Sequence, residues 1–238
     1  MDTLTSAPVA DVLARLFDEA KATVGPLDER FAEVAADDKA LAEFLALEAK
    51  DYKGMYQQLA DYYLNVSAEF GQFLYVCARA RQATRIVEFG TSFGVSTIYL
   101  AVALRDGGGG HLIGTELEPA KAERARENLS AAGLDDIVDI RVGDSPETLR
   151  DDVDDGVDLV LLDGAFTLYL PVLKLLEPRL SPGALVIAEN AVEQSGDYHL
   201  RAQPRQRVSH HPSSARCTPR QRNVSSHRLI RRSICRRS

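Results

Sequence analysis

The feature that most constrains this fold is a regular alternation of short apolar runs and helical patterns, which begins at Arg85. The predicted strands are Arg85–Phe89, His111–Thr115, Ile137–Val142, Val157–Leu162 and Ala184–Ala188. The helices predicted between them are Gly94–Arg105, Pro119–Ala132, Pro146–Arg150 and Leu168–Leu180. Strands that alternate with helices are joined by right-handed crossovers and pair in parallel. The sequence therefore predicts an α/β fold with a doubly wound, mostly parallel sheet.

The residues before the first strand have helical patterns instead. Val9–Val24 places apolar side chains on one face and is followed by a Gly-Pro break, and a second helical pattern runs from Asp38 to Lys53. A third helix is expected over Ser67–Arg81, with Ser67 as its N-cap. We expect an N-terminal helical region at residues 1–82 and the sheet domain at residues 83–198.

The last forty residues have a different composition from the rest of the chain. Residues 199–238 contain eleven arginines but no lysine, no acidic residue and no aromatic residue, so all 35 acidic side chains lie before them. Such a segment buries too little apolar area to offset the entropy lost on ordering. We expect a disordered basic tail, and the absence of lysine favours a frameshift product over a genuine tail.

The sequence shows no targeting or membrane segment. No apolar run approaches the roughly 20 residues that span a bilayer, and the N-terminus lacks the basic-then-apolar order of a secretory signal. The three cysteines have no metal-binding spacing. We expect a cytoplasmic protein that does not bind membranes.

Every predicted strand ends in, or is soon followed by, an acidic residue. These acids are Glu88, Glu116, Asp144, Asp163 and Glu189. Because ligands of such sheets bind beyond the carboxyl ends of the strands, the acids are expected to form a negatively charged rim around the site. A rim of this kind favours a cationic ligand.

The turn after the first strand, within the stretch VEFGTSFGVS, does not fit a phosphate ligand. It lacks the lysine of a P-loop, and Ser92 and Val95 occupy two of the three positions at which a dinucleotide fingerprint starting at Gly90 needs glycine. S-adenosylmethionine fits better, because its sulfonium and ammonium groups suit carboxylates. Glu116, at the end of the next strand, is placed to accept from the ribose diol.

Four ordered motifs also resemble a known family. VEFGTSFGVSTIYLA, GTELEPAKAERARENL, RVGDSPETL and DLVLLDGAFTLYLPVLKLLEPRLSPGALVIAEN together resemble the class I S-adenosylmethionine-dependent O-methyltransferases, in particular the small bacterial enzymes of the catechol and caffeoyl-CoA group. The resemblance covers about residues 66–197 and implies a Rossmann-like methyltransferase sheet and a homodimer. It also implies two further strands, for which the chain has no matching pattern after Asp197.

The resemblance implies a set of cofactor-binding residues. They are Val66, Glu88, Gly90, Ser92, Gly94, Ser96, Glu116, Gly143, Asp144, Ser145 and Asp163. Within this set, Glu116 would bind the ribose diol, and Asp144 and Ser145 would flank the adenine. Asp163 would lie beside the cofactor amine and the reacting centre, as the catalytic residue.

The resemblance further implies a divalent cation, Mg²⁺ or another, held by Asp163, Glu189 and Asn190. Oxygen ligands suit Mg²⁺, which would act as a Lewis acid on a phenolic hydroxyl. Two positions depart from the family pattern. Glu189 replaces an aspartate with a longer side chain, and Phe166 replaces a lysine base and cannot accept a proton.

The expected activity is transfer of a methyl group to a hydroxyl oxygen of a small, phenolic or catechol-like molecule. A protein that binds the cofactor without turnover is an alternative, motivated by Phe166 and Glu189, and an RNA methyltransferase is another, motivated by the arginine-rich tail. The acidic body opposes binding to nucleic acid, and the tail lacks aromatics for base stacking. The N-terminal tyrosines and Tyr169 either shape an acceptor pocket or, as we favour, pack in the core.

Overall fold

The computed structural model describes residues 3–23, 34 and 37–189. Within these residues the strands are β1 (Arg85–Phe89), β2 (His111–Glu116), β3 (Val138–Val142), β4 (Val157–Leu162) and β5 (Leu180–Ala188). The α-helices are α1 (Val9–Thr23), α2 (Asp38–Gln57), α3 (Ala68–Arg81), α4 (Val95–Asp106), α5 (Pro119–Ala131), α6 (Ser145–Thr148) and α7 (Tyr169–Leu176). Short 3₁₀ turns occupy Thr3–Thr5, Phe166–Leu168 and Glu177–Arg179.

The described strands form one parallel sheet in the order β3-β2-β1-β4-β5. The chain runs outward from β1 to β3 and then returns to place β4 on the other side of β1. The order therefore reverses between β1 and β4, which is where doubly wound sheets bind their ligands. The predicted fold class, a mostly parallel Rossmann-like sheet flanked by helices, is confirmed.

The two faces of the sheet are covered by different helices, because alternate residues of each strand point to opposite sides. On one face, Ile86 and Leu159 pack with residues of α3 and α4. On the other face, Val87 and Val160 pack with α7. Both central strands are buried apart from Arg85, which explains why they read as continuous apolar runs.

Most predicted element bounds are within one or two residues of the structure. The Ser67 side chain accepts a hydrogen bond from the Phe70 N–H at 3.1 Å, which confirms the predicted N-cap. Helix α2 extends four residues beyond the predicted end, to Gln57, and is interrupted at Asp51, whose φ and ψ are −155° and 64°.

Two predictions near the end of the described chain were wrong. The helix predicted over Leu168–Leu180 is α only over Tyr169–Leu176, because Pro178 lacks the N–H that would continue it. Strand β5 begins at Leu180 instead of Ala184, so the Ser-Pro-Gly segment lies inside the strand, beside a register shift in its pairing with β4.

Several predictions lie outside the described residues. They concern Asn190, the tail at 199–238, and the strands that the family resemblance implies after Asp197. No helix in the described ranges has the length and hydropathy needed to cross a bilayer.

Candidate active site

The turn after β1 brings two strand ends into direct contact. Gly90 has a φ of 94°, and a Cβ atom added to it would lie 2.1 Å from the backbone oxygen of Asp163. The N–H groups of Gly90 and Thr91 both donate to the backbone oxygen of Thr115, at 3.2 and 3.0 Å. Only glycine allows this backbone geometry and this approach at position 90. The turn therefore ties the ends of β1, β2 and β4 together.

An open cleft with about 610 Å³ of empty space lies at these strand ends. The predicted cofactor residues that line it are Gly90, Ser92, Glu116, Gly143, Asp144, Ser145 and Asp163. Those that do not line it are Val66, Glu88, Gly94 and Ser96. The structure thus brings together most of the predicted set around one space.

Glu88 lies beneath the turn, with a fully buried side chain. Its Oε2 accepts hydrogen bonds from the hydroxyls of Thr91 at 3.0 Å and Thr97 at 2.5 Å, and its Oε1 has no partner. Burial raises the pKa of Glu88 to about 7, although the bonds from Thr97, Ser96 and Thr91 oppose the rise. The carboxyl group therefore supports the turn from below.

Glu116 forms part of the cleft wall and is 8% exposed. Its Oε2 accepts from the Ser92 N–H at 2.7 Å and its Oε1 from the Glu118 N–H at 2.9 Å. Burial raises its pKa, while these two bonds and the nearby Lys121 lower it. Because each carboxylate oxygen has two acceptor positions, both oxygens can still accept from a ligand.

Asp163 follows β4 and lines the cleft. Its N–H donates to the Phe89 oxygen at 2.8 Å, which fixes its backbone against β1. Burial raises the pKa of Asp163 well above its usual range, and the neighbouring charges of Glu189 and Glu88 raise it further. No donor within the described ranges pairs with its carboxyl group. A partly buried acid with a raised pKa that lines a ligand cleft is suited to a cationic ligand.

The end of β3 is reached by side chains from α2. The hydroxyl of Tyr52 donates to Asp144 Oδ2 at 2.6 Å, and Lys53 Nζ lies 2.8 Å from the same oxygen. The adjacent Ser145 hydroxyl lies 2.8 Å from that of Thr115. Burial and, to a lesser extent, Asp144 together raise the pKa of Tyr52 to about 12. No local motif predicts that Lys53 pairs with a cleft residue.

The largest feature that sequence reasoning missed is Glu48, whose side chain is fully buried. It accepts hydrogen bonds from the N–H groups of Phe166 at 3.1 Å and Thr167 at 2.7 Å, and from the Tyr56 hydroxyl at 3.0 Å. The sequence does contain a signal for this arrangement, a row of one acid and three aromatics at intervals of four residues. The row comprises Phe44, Glu48, Tyr52 and Tyr56.

The tyrosines divide between the cleft and the core. Tyr52 and Tyr56 line the cleft. Tyr63 stacks on Phe93 with ring centroids 4.3 Å apart, and Tyr169 is buried with its hydroxyl 3.0 Å from the Glu189 backbone oxygen. Packing is thus the observed role of Tyr63 and Tyr169, whereas two residues of the N-terminal region contribute to the cleft wall.

The predicted metal ligands are only partly within the described chain. Burial raises the pKa of Glu189, and the influence of its charge on Asp163 shows that the two carboxyl groups are near each other. Asn190 lies outside the described residues. Among the residues described, no group of three or more histidine, cysteine, aspartate or glutamate side chains is arranged to hold a metal ion.

Comparison with known proteins gives a consistent result. Residues 87–191 match a family model described as a methyltransferase domain. The chain is 34% identical to the catechol O-methyltransferase of Mycobacterium tuberculosis over 163 residues, which cover 68% of this chain and 70% of that enzyme.

Two solved structures are similar in both sequence and fold. One is the O-methyltransferase TomG of Streptomyces achromogenes in complex with S-adenosylmethionine, at 33% identity and a TM-score of 0.50, covering 59% of this chain and 64% of that one. The other is the O-methyltransferase of Bacillus cereus with S-adenosylhomocysteine, at 26% identity and a TM-score of 0.51, covering 64% and 66%. About a third of each relative lies outside the matched region.

Proposed function

Because this chain belongs to the S-adenosylmethionine-dependent O-methyltransferases, we propose that its acceptor is a small phenolic, catechol-like molecule. The observation that supports this proposal best is the acidic cleft at the switch point of the sheet. Asp163 and Glu116 both line this cleft, and so do the aromatic residues Tyr56 and Phe89. Cationic and aromatic ligands both find complementary groups there.

The residues of the cleft fit the cofactor. S-adenosylmethionine supplies a methyl group activated by a sulfonium ion. Asp163 would face its cationic groups, and the free acceptor positions of Glu116 would bind its ribose hydroxyls. Gly90 would let the ligand approach the backbone closely, since it has no side chain and cannot accommodate one.

The adenine is expected to lie at the end of β3. Gly143, Asp144 and Ser145 line this part of the cleft. Tyr52 and Lys53 hold Asp144 from the opposite side, so α2 would help to keep the base in place. Glu88, Gly94 and Ser96 would contribute indirectly by holding the turn and the start of α4.

The remaining cleft wall would orient the acceptor. Tyr56, Leu168 and Ala165 line it with aromatic and aliphatic surface, against which a phenol ring can pack. Holding two reactants in line can contribute about 7–11 kcal/mol to lowering a barrier. The protein's main contribution would therefore be to place the acceptor oxygen opposite the methyl group and to exclude water.

A divalent cation stays a prediction. Asp163 and Glu189 alone do not make a complete site, so no step of the mechanism is assigned to a metal. The cytoplasmic location and the homodimer, with the N-terminal helices at its interface, are likewise proposals; sedimentation showing a monomer at micromolar concentration would contradict the dimer.

Calorimetry with S-adenosylmethionine, followed by methyl transfer to a panel of catechols with and without Mg²⁺, tests the function. Glu116→Ala should weaken cofactor binding by about 1–3 kcal/mol, because buried hydroxyls lose a charged acceptor. Glu123→Ala, an exposed acid on α5, is the matched control and should bind normally.

Each alternative function predicts a different outcome of this experiment. Cofactor binding without methyl transfer to any acceptor would indicate a binding protein. Methylation of RNA, with catechols left unmodified, would indicate the RNA methyltransferase. Unchanged affinity in Glu116→Ala would refute the ribose assignment.

A further inference from the structure

Methylation of a hydroxyl group releases a proton, and the cleft must provide a group that receives it. This argument rests on the proposed function. Phe166, at the acceptor end, has a side chain that cannot accept a proton. Glu116 lies on the β2 side of the cleft, where we propose that it binds the ribose hydroxyls. The acceptor end instead contains Tyr56, and behind it the buried carboxyl group of Glu48.

The contacts of Glu48 are those of a fixed proton acceptor. Two N–H groups, from Phe166 and Thr167, hold its two oxygens in place. The third contact, at 3.0 Å, comes from the Tyr56 hydroxyl, whose proton already points at Glu48 Oε1. Helix α2 thus places a carboxyl group that solvent does not reach one hydrogen bond away from a residue of the cleft wall.

Burial and the charges around Tyr56 keep it a neutral hydroxyl. It is faced by Glu48 from its own helix and by Asp163 from the end of β4. Tyr169 of α7 and Glu189 belong to the same group of titratable side chains. Burial raises the pKa of Tyr56 well above its ordinary value, and the charge of Glu48 raises it further. A neutral hydroxyl that donates to Glu48 keeps an oxygen lone pair with which to accept from a ligand.

We propose that Tyr56 and Glu48 form a proton relay, in which Tyr56 Oη receives the acceptor's hydroxyl proton while its own proton passes to Glu48 Oε1. At the same time the acceptor oxygen bonds to the methyl carbon and the carbon–sulfur bond breaks, with its electron pair left on the now neutral sulfur. Tyr56 is uncharged before and after the step, and Glu48 changes from carboxylate to carboxylic acid. Reversal of the relay to solvent after product release restores the resting state.

Two acceptors that differ in acidity test the relay. The hydroxyls of catechol stay protonated at neutral pH. The nitro group of 4-nitrocatechol makes one of its hydroxyls more acidic, so that this hydroxyl is largely ionised under mildly alkaline conditions. Its methylation therefore needs no base. Tyr56→Phe and Glu48→Gln should each lower kcat on catechol by about 10²–10⁴-fold, the usual contribution of a positioned base. On nitrocatechol both variants should retain most of the wild-type kcat.

Further readouts separate a relay from a structural role. The loss on catechol should shrink as the pH rises toward the pKa of catechol itself, and the double variant should be no worse than either single one, because both act in one step. Calorimetry should show unchanged affinity for S-adenosylmethionine in Tyr56→Phe. Tyr75→Phe, which removes a tyrosine–aspartate bond to Asp106 away from the cleft, is the matched control.

The outcomes are distinct. Equal losses on both acceptors, or no loss on either, would overturn the relay while leaving the proposed function intact. If Glu48→Gln fails to fold, Tyr56→Phe still decides, since it retains the ring and removes only the hydroxyl. If the wild-type protein binds the cofactor but methylates neither acceptor, the proposed acceptor class fails first and the relay fails with it.

Discussion

The two halves of the cleft are built in different ways. The proposed cofactor half consists of residues at the ends of β1, β2, β3 and β4, each placed by the strand that precedes it. The acceptor half depends on α2, whose side chains Glu48 and Tyr56 meet the Phe166–Leu168 turn more than a hundred residues later in the chain. A strand end specifies a local position, whereas a contact between α2 and this turn depends on tertiary packing.

This difference has a functional consequence. The cofactor half can be shared by many enzymes of the family, because every one of them binds the same cofactor. In our proposal the acceptor half determines what is methylated, and it contains Phe166 and Glu189, the two positions at which the resemblance implies a departure from the family pattern. The two departures lie near the ends of β4 and β5. In our proposal, however, the base that replaces the one missing at Phe166 comes from α2, which is distant in sequence.

The largest effect is expected where the two halves touch, at Gly90. Gly90→Ala should destabilise the protein by about 4 kcal/mol or more and abolish measurable cofactor binding, because a positive φ is costly for alanine and its Cβ would overlap a backbone oxygen at 2.1 Å. Urea unfolding and calorimetry measure both effects.

Gly94→Ala is the matched control for this prediction. Gly94 also has a positive φ, 89°, but the nearest atom to an added Cβ is the Ala125 Cβ at 3.4 Å. The control should therefore lose only the conformational cost of about 1–2 kcal/mol. Equal losses of stability and of cofactor binding in the two variants would show that the close approach of β1 to β4 at Gly90 does not matter for either property. The comparison of the two halves would then lose its physical basis.

The same distinction explains how much the sequence could predict. The parallel sheet, the glycine turn and the acids at the strand ends could be predicted from local signals. These signals are the hydrophobic periodicity of each element and the glycine and proline residues at its ends, all within segments of about ten residues. Seven predicted cofactor residues do line one cleft. Glu88 was expected at the ligand, yet its side chain is buried below the turn, and a strand-end acid has no local signal for which side of the turn it faces.

The acceptor half was largely beyond sequence reasoning. The row Phe44, Glu48, Tyr52 and Tyr56 indicates one helix face, but not the partner of that face. Nothing near Phe166 shows that its backbone N–H binds a carboxyl group 118 residues earlier. The interruption of α2 at Asp51 has a local signal in Gly54, whose N–H donates to the Asp51 side chain at 2.9 Å and which has no room for a Cβ atom.

A second prediction concerns pH and belongs to the cofactor half. The pKa of Glu88 rises on folding from 4.5 to about 7, so the folded protein binds more protons than the unfolded chain between these values. The free energy of unfolding of the ligand-free protein should therefore be greatest below about pH 4.5, as far as Glu88 is concerned. It should fall by about 3 kcal/mol as the pH rises through 7.

The difference between the wild type and Glu88→Gln isolates this contribution from other titrating groups. Urea unfolding at several pH values should give a markedly flatter profile for Glu88→Gln, whereas Glu123→Gln, on the exposed face of α5, should follow the wild type. Parallel profiles for Glu88→Gln and the wild type would mean that Glu88 is charged in the folded protein at no cost, and that the cofactor half is less strained than its burial implies.

The smallest expected effect tests whether the two halves are coupled through α2. The pair of Lys53 with Asp144 is an ionic contact of this helix with the proposed adenine side of the cleft, and the Lys53 side chain is 48% exposed. A pair this accessible contributes little to stability or binding and is screened by salt. Lys53→Ala should therefore weaken cofactor binding by less than about fivefold at low salt, and by still less at high salt, as calorimetry at two ionic strengths can show.

Lys39→Ala, which removes the more exposed pair with Glu43 on the same helix, should have no effect at either salt concentration. A loss above tenfold would mean that α2 closes the cofactor half as well as the acceptor half, and no loss at low salt would mean that the helix serves the acceptor alone.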